Sequence, residues 1–208
     1  MCKNLKNHLV FRGQRAVFGL LLLLLLAQCG PSEPSFQEGK TAFGKEAMVV
    51  TAHPEATRVG LAILQEGGSA IDAMVAVHFA LAVVYPSAGN IGGGGFMVYR
   101  EPEGRYHTLD FREKASLEAF ETMYLDAEGE VLEGKSLYGA TAAGVPGSVD
   151  GMLRAHAKFG TLPLKTLLAP AVRLAEEGFP ITAKQARNFN NLKERFIENN
   201  RFPETAKL

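Results

Sequence analysis

The sequence predicts an α+β domain with layered αββα character, and three observations carry that prediction. A short apolar segment leads into two consecutive helical patterns. A glycine run then opens a β-hairpin, and nearly everything after the hairpin has helical spacing. Composition agrees: 47% hydrophobic and 21% charged residues suit a core-forming protein and exclude a disordered chain. The 208 residues are enough for one domain or for a piece of a larger one.

Residues 1–29 read as a signal peptide of lipoprotein type. Lys3, Lys6, Arg12 and Arg15 make the positive start, and residues 17–27 supply an apolar core that contains the leucines at 21–26. That core is about half the ~20 residues that a membrane-spanning helix needs. Leu26-Ala27-Gln28-Cys29 resembles the lipobox of bacterial lipoproteins, in which the cysteine is acylated and becomes the mature N-terminus. Gln28 departs from the pattern, which prefers a small residue there, so ordinary cleavage to a soluble secreted form is the alternative. Both cysteines, Cys2 and Cys29, lie in this leader, which leaves no disulfide framework or cysteine nucleophile in the body. Residues 30–44 are a flexible polar tether, and the domain proper is expected over 45–208. The expected location is exported: periplasmic, or held to a bacterial membrane by lipid on Cys29.

Within the body, residues 47–52 (AMVVTA) form an expected strand, ended by His53-Pro54, with Pro54 suited to the first turn of a helix. That helix stops at Gly67-Gly68. Ser69 and Asp72 make a capping box for the next helix, 70–84, which is apolar nearly all round and so belongs in the centre of a layered domain. Gly92 to Gly95 follow, then a strand from Phe96, a turn at 101–104 and a second strand that carries Asp110, Arg112 and Glu113. Residues 126–135 are a polar turn region, and 136–146 are expected to be extended. A helix is expected to open at Pro146-Gly147-Ser148 and close at Gly160. Thr161 is the expected cap of another, broken or restarted at Pro170, and Thr182 caps a last helix over 183–199.

Several chemistries fail on inspection. Formal net charge is zero, and no basic run follows residue 30, so nucleic acid is not an expected partner. Gly95 is followed by Phe96 rather than Lys-Ser/Thr, and the glycines follow a helix and open a strand, the reverse of a dinucleotide fingerprint. No cluster has metal-ligand spacing, and no cofactor is expected. His78 on the central helix reads as a core histidine. His53 has the better claim to a role; His107 and His156 have none. The glycine run fits a tight buried turn, or the floor of a substrate pocket with Arg112 on its rim. From residue types alone, Arg112 could equally be tied in a salt bridge to Asp110 or Glu113.

Seven segments in register decide between these readings. His53-Pro54, Gly67 to Ala73, Gly89 to Met97, Leu109 to Glu113, Gly144 to Ser148, Lys158 to Pro163, and Leu168 to Ala171 with Ala175 to Pro180 resemble the gamma-glutamyltransferase (glutathione hydrolase) family. The resemblance implies the N-terminal part of the large subunit of an Ntn-hydrolase sandwich, made as a self-cleaving proenzyme. A threonine at the start of the small subunit would be nucleophile and, through its amine, its own base. It would pass a γ-glutamyl group from glutathione or a related amide to water, an amino acid or a dipeptide. Arg112 matches the family's arginine for the glutamyl α-carboxylate, whose two oxygens suit a planar guanidinium fork. The catalytic threonine and oxyanion donors are expected beyond Leu208, so no catalytic residue is assigned here and the small subunit is an expected partner. A cephalosporin- or glutaryl-type acylase is the alternative enzyme. A non-catalytic surface lipoprotein that binds γ-glutamyl compounds is the alternative outside the enzymes.

Overall fold

The computed structural model describes residues 42–200; the leader with Cys29, and most of the tether, lie outside the described residues. Among the described residues, five α-helices and one hairpin make an α+β arrangement: α1 (Pro54–Gln65), α2 (Ala70–Val84), β1 (Phe96–Arg100), β2 (Tyr106–Asp110), α3 (Ser148–Phe159), α4 (Leu164–Glu177) and α5 (Ala183–Asn199). Apolar α2 lies at the centre, packed by α1, α3 and α4. Its residues Ile71, Val75 and Ala76 share a core with Ile63 of α1, Met97 of β1, Phe111, Met152 of α3 and Leu167 of α4.

The capping box forms as the sequence predicts. The Ser69 hydroxyl accepts the Asp72 N–H at 3.1 Å, and an Asp72 carboxylate oxygen accepts the Ser69 N–H at 2.8 Å. Asp72 is fully buried and does more than cap. The same carboxylate accepts the Thr161 hydroxyl at 2.6 Å, the Thr161 N–H at 3.0 Å and the Leu162 N–H at 3.3 Å, across 89 or 90 residues of chain. Burial alone would raise its pKa. The hydrogen bonds from Thr161 and Ser69 outweigh that and hold it at about 2, below the ordinary 3.8.

A second long-range tie fixes α5. His53 caps α1, its Nδ1 accepting the Glu55 N–H at 3.2 Å, which leaves Nε2 to donate to Gln185 Oε1 at 3.1 Å. The Gln185 amide in turn donates to the Val84 carbonyl at 2.5 Å. The role that the sequence reserved for His53 is therefore a structural one. Thr182 and Gln185 form a capping box, so one glutamine both starts α5 and pins it to the ends of α1 and α2.

Five local expectations are corrected. Arg112 and Glu113 do not lie on the second strand, because β2 ends at Asp110, whose side chain turns back to accept the Arg112 backbone N–H. Residues 47–52 form no strand: Val50 is exposed, and among the described residues no strand lies alongside to complete a ladder. Residues 136–146 are turns with a short 3-10 helix at Ala140–Ala142, tied to the rest of the chain by an isolated bridge from Val145 to Lys114 and by side-chain bonds from Tyr124 to the Thr141 carbonyl and from Arg195 to the Tyr138 hydroxyl. Thr161 does not cap α4, because its N–H and hydroxyl are committed to Asp72; Pro163 takes the cap position instead. Pro170 does not break α4. Its neighbours Leu167 and Ala171 are buried in the core, and such burial, worth roughly 1.5–3 kcal/mol for a leucine, offsets much of the ~3 kcal/mol cost of an interior proline.

Candidate functional site

The site is built where three loops meet: the glycine run, the end of β2, and the entry to α3. β1 and β2 pair antiparallel with Phe96 opposite Asp110, Val98 opposite Thr108 and Arg100 opposite Tyr106. The pairing runs on past β1, since Phe111 N–H donates to the Gly95 carbonyl at 3.0 Å. On the other side, the N–H groups of Gly147 and Ser148 donate to the Gly93 carbonyl at 2.8 and 3.0 Å. Buried Ser148 also donates its hydroxyl to Asn90 Oδ1 at 2.9 Å, closing the three loops into one unit.

Glycine is required here by close approach. A Cβ on Gly94 would lie 2.6 Å from the Arg112 Cα, and one on Gly147 would lie 2.2 Å from the Phe111 carbonyl oxygen. The backbone of Phe111 and Arg112 is thus clasped between two loops. The Phe111 side chain is buried against α3, where a Cβ on Gly151 would meet its ring at 2.2 Å. These close approaches are those of a tight turn, and what the glycine run packs against is the backbone at Phe111 and Arg112.

The Arg112 side chain is exposed at one wall of an open groove of about 920 Å³, lined also by Glu113, Lys114, Gly147, Asp150 and Arg154. The salt bridge that residue types allowed does not form. Asp110 Oδ1 accepts the Arg112 backbone N–H at 3.0 Å, and the guanidinium has no carboxylate partner among the described residues. Arg154, the other arginine of the groove, is engaged by Asp150 at 2.8 Å. The guanidinium of Arg112 lies instead over the ring of Phe96, 5.5 Å from its centroid. A donor fork held on a rigid backbone and left without an acid is suited to receiving a planar anion, a carboxylate above all.

The remaining histidines take other places. His78 Nε2 is buried without a hydrogen-bond partner among the described residues, and burial lowers its pKa, partly countered by a backbone hydrogen bond to Asn90. His107, which the alternation of β2 left without a role, stacks near Tyr99 and Phe159 and pairs with Glu101 at 2.7 Å. Phe96 is the site residue that sequence reasoning missed as such. It read as the first apolar residue of a strand within the Gly89–Met97 segment, although its place directly after four glycines was a signal.

Fold and site together define an α+β chain whose glycine-built loops hold an exposed arginine with no carboxylate partner among the described residues. The family model described as Gamma-glutamyltranspeptidase matches residues 56–208, and the chain belongs to that family. The chain is 55% identical over 135 residues to the glutathione hydrolase proenzyme of Pseudomonas sp. (strain A14), covering 65% of this chain and 24% of the relative. The solved gamma-glutamyltranspeptidase of Helicobacter pylori is similar with a TM-score of 0.73 and 47% identity, over 76% of this chain and 45% of that one. The acylase ACY 1 proenzyme of Pseudomonas sp. (strain SE83) is 42% identical over 151 residues, 70% of this chain and 27% of the relative. The chain therefore spans about a quarter of the length of the curated relatives it matches.

Proposed function

We propose that these residues form the N-terminal part of the large subunit of a γ-glutamyl-transferring enzyme, in which Arg112 receives the α-carboxylate of the donor. The observation that carries this reading is the free donor fork of Arg112, on a backbone clasped by Gly94 and Gly147, in a chain of this family. The similarity to proenzymes supports the rest of the scheme. A layered αββα sandwich would be completed by the remainder of the precursor, which cleaves itself to free a threonine. The threonine hydroxyl attacks the γ-glutamyl amide carbonyl; its amine accepts the hydroxyl proton and returns it to the departing amine. Water or an amino group then takes the acyl group from the resulting ester. Glutathione is the donor class; an amino acid or dipeptide is the acceptor class. We further propose export through the 1–29 leader, with lipid on Cys29 or release as a secreted form.

The similarity to ACY 1 keeps an acylase reading in view, and the chemistry explains why the two lie close together. A glutaryl group is a γ-glutamyl group without its α-amino group, so both carry the carboxylate that Arg112 suits. The complete, processed enzyme should hydrolyse a γ-glutamyl anilide faster than the matching glutaryl anilide. A preference for glutaryl would move the protein to the acylases, and cleavage of neither would leave a binding protein.

A further inference from the structure

The donor fork of Arg112 is useful only if it is aimed, and among the described residues nothing acidic aims it. Arginine has several rotatable bonds and loses much freedom when fixed. An acid that fixed it would also occupy the donors that a substrate needs. Phe96 offers the other means. Its ring lies beneath the guanidinium at 5.5 Å, within the range in which the ring face attracts a cation. Attraction to a ring face takes up none of the N–H donors that a carboxylate would need. Phe96 is held for this task by the hairpin: it is the first residue of β1 and stands opposite Asp110, which in turn accepts the Arg112 backbone N–H. Its ring is not part of the core, being 67% exposed, whereas the next residue, Met97, is buried at 6%.

We propose that Phe96 is a positioning residue for substrate binding: it orients the Arg112 guanidinium through its ring face and so sets the affinity for donors that carry an α-carboxylate. The inference rests on the assignment of Arg112 to that carboxylate. It goes beyond that assignment by naming what holds the side chain and which substrates feel its loss.

The test uses the complete, processed enzyme with Phe96→Ala, Phe96→Leu and Phe96→Tyr, on two donors: a γ-glutamyl anilide, and a 4-aminobutyryl anilide, which is the same donor without the carboxylate. Phe96→Ala and Phe96→Leu should raise KM for the γ-glutamyl donor about three- to tenfold, with kcat nearly unchanged, because the contact is equal in ground and transition states. Phe96→Tyr, which keeps the ring face, should behave as the unaltered enzyme. The 4-aminobutyryl donor should be turned over equally by all four. On an Arg112→Gln background, Phe96→Ala should add nothing.

A normal KM in Phe96→Leu would overturn the proposal, since bulk alone would then suffice. Equal losses on both donors, or additive losses with Arg112→Gln, would overturn it too. If Phe96→Ala fails to process, the contrast between Leu and Tyr decides. Normal donor kinetics in Arg112→Gln itself is a separate result, and it removes the carboxylate assignment on which the proposal stands.

Discussion

Replacing Arg112 by glutamine in the complete enzyme should lower kcat/KM for a γ-glutamyl anilide by about one to two orders of magnitude. A charge-assisted contact contributes about 1.5–3 kcal/mol, and each ~1.4 kcal/mol is a factor of ten. The side chain enters no ion pair among the described residues, so little of the loss should come from disturbed structure. Its anchoring bond is made by the backbone N–H, which glutamine retains. Arg112→Lys should lose less, because charge persists while the two-pronged geometry does not. Precursor cleavage should proceed normally in both, since it needs no bound glutamyl group. Processing and donor kinetics measured on the same preparations check this. Failed cleavage in Arg112→Gln would show that the arginine is structural.

The second large effect is on stability. Asp72→Ala removes the acceptor of the Ser69, Thr161 and Leu162 N–H groups and of two hydroxyls. Leaving buried donors unpaired costs about 1–3 kcal/mol each, so even at the low end the three N–H groups give a loss of about 3 kcal/mol or more, well above the ~1 kcal/mol of a simple cap. Asp72→Asn should lose somewhat less, as one acceptor oxygen remains. The pH dependence has a definite sign. The folded pKa of about 2 lies below the ordinary 3.8, so the contribution is complete above the unfolded value. It is lost as pH falls from about 5 towards 2. Urea midpoints of the unaltered enzyme and of Asp72→Asn should therefore differ most near neutrality and converge in acid. A constant difference across that range would show that the carboxylate charge contributes nothing.

These two residues mark what the sequence makes legible. Local chemistry is readable: Ser69 with Asp72 and Thr182 are caps by residue type and position, and the structure places both caps there. The hairpin and the helix at Ser148–Phe159 are equally plain from alternation and from Pro-Gly-Ser punctuation. Partners far along the chain are not readable. Nothing near Thr161 announces that Asp72, 89 residues earlier, takes its hydroxyl, so Thr161 was assigned to the helix beside it. His53 and Gln185 stand 132 residues apart and are joined only by the fold. Residues 47–52 show the converse error. Their apolar run has the composition of a strand, but a strand also needs a neighbour, and composition does not supply one.

At the site, the arginine was visible because its segment resembles a family; its surroundings were not. That Gly94 and Gly147 clasp the Arg112 backbone depends on two loops meeting at distances that no spacing rule gives. Phe96 stands over Arg112 because hairpin register places residue 96 opposite residue 110. A one-residue slip would send the ring to the other face of the sheet.

The most direct test is a crystal structure of the complete, processed enzyme with glutamate bound. The account predicts both α-carboxylate oxygens on the Arg112 guanidinium, at about 2.7–2.9 Å, with the Phe96 ring against the guanidinium face. A glutamate whose carboxylate is held by other groups, with Arg112 turned to solvent or paired with Asp110 or Glu113, would contradict it.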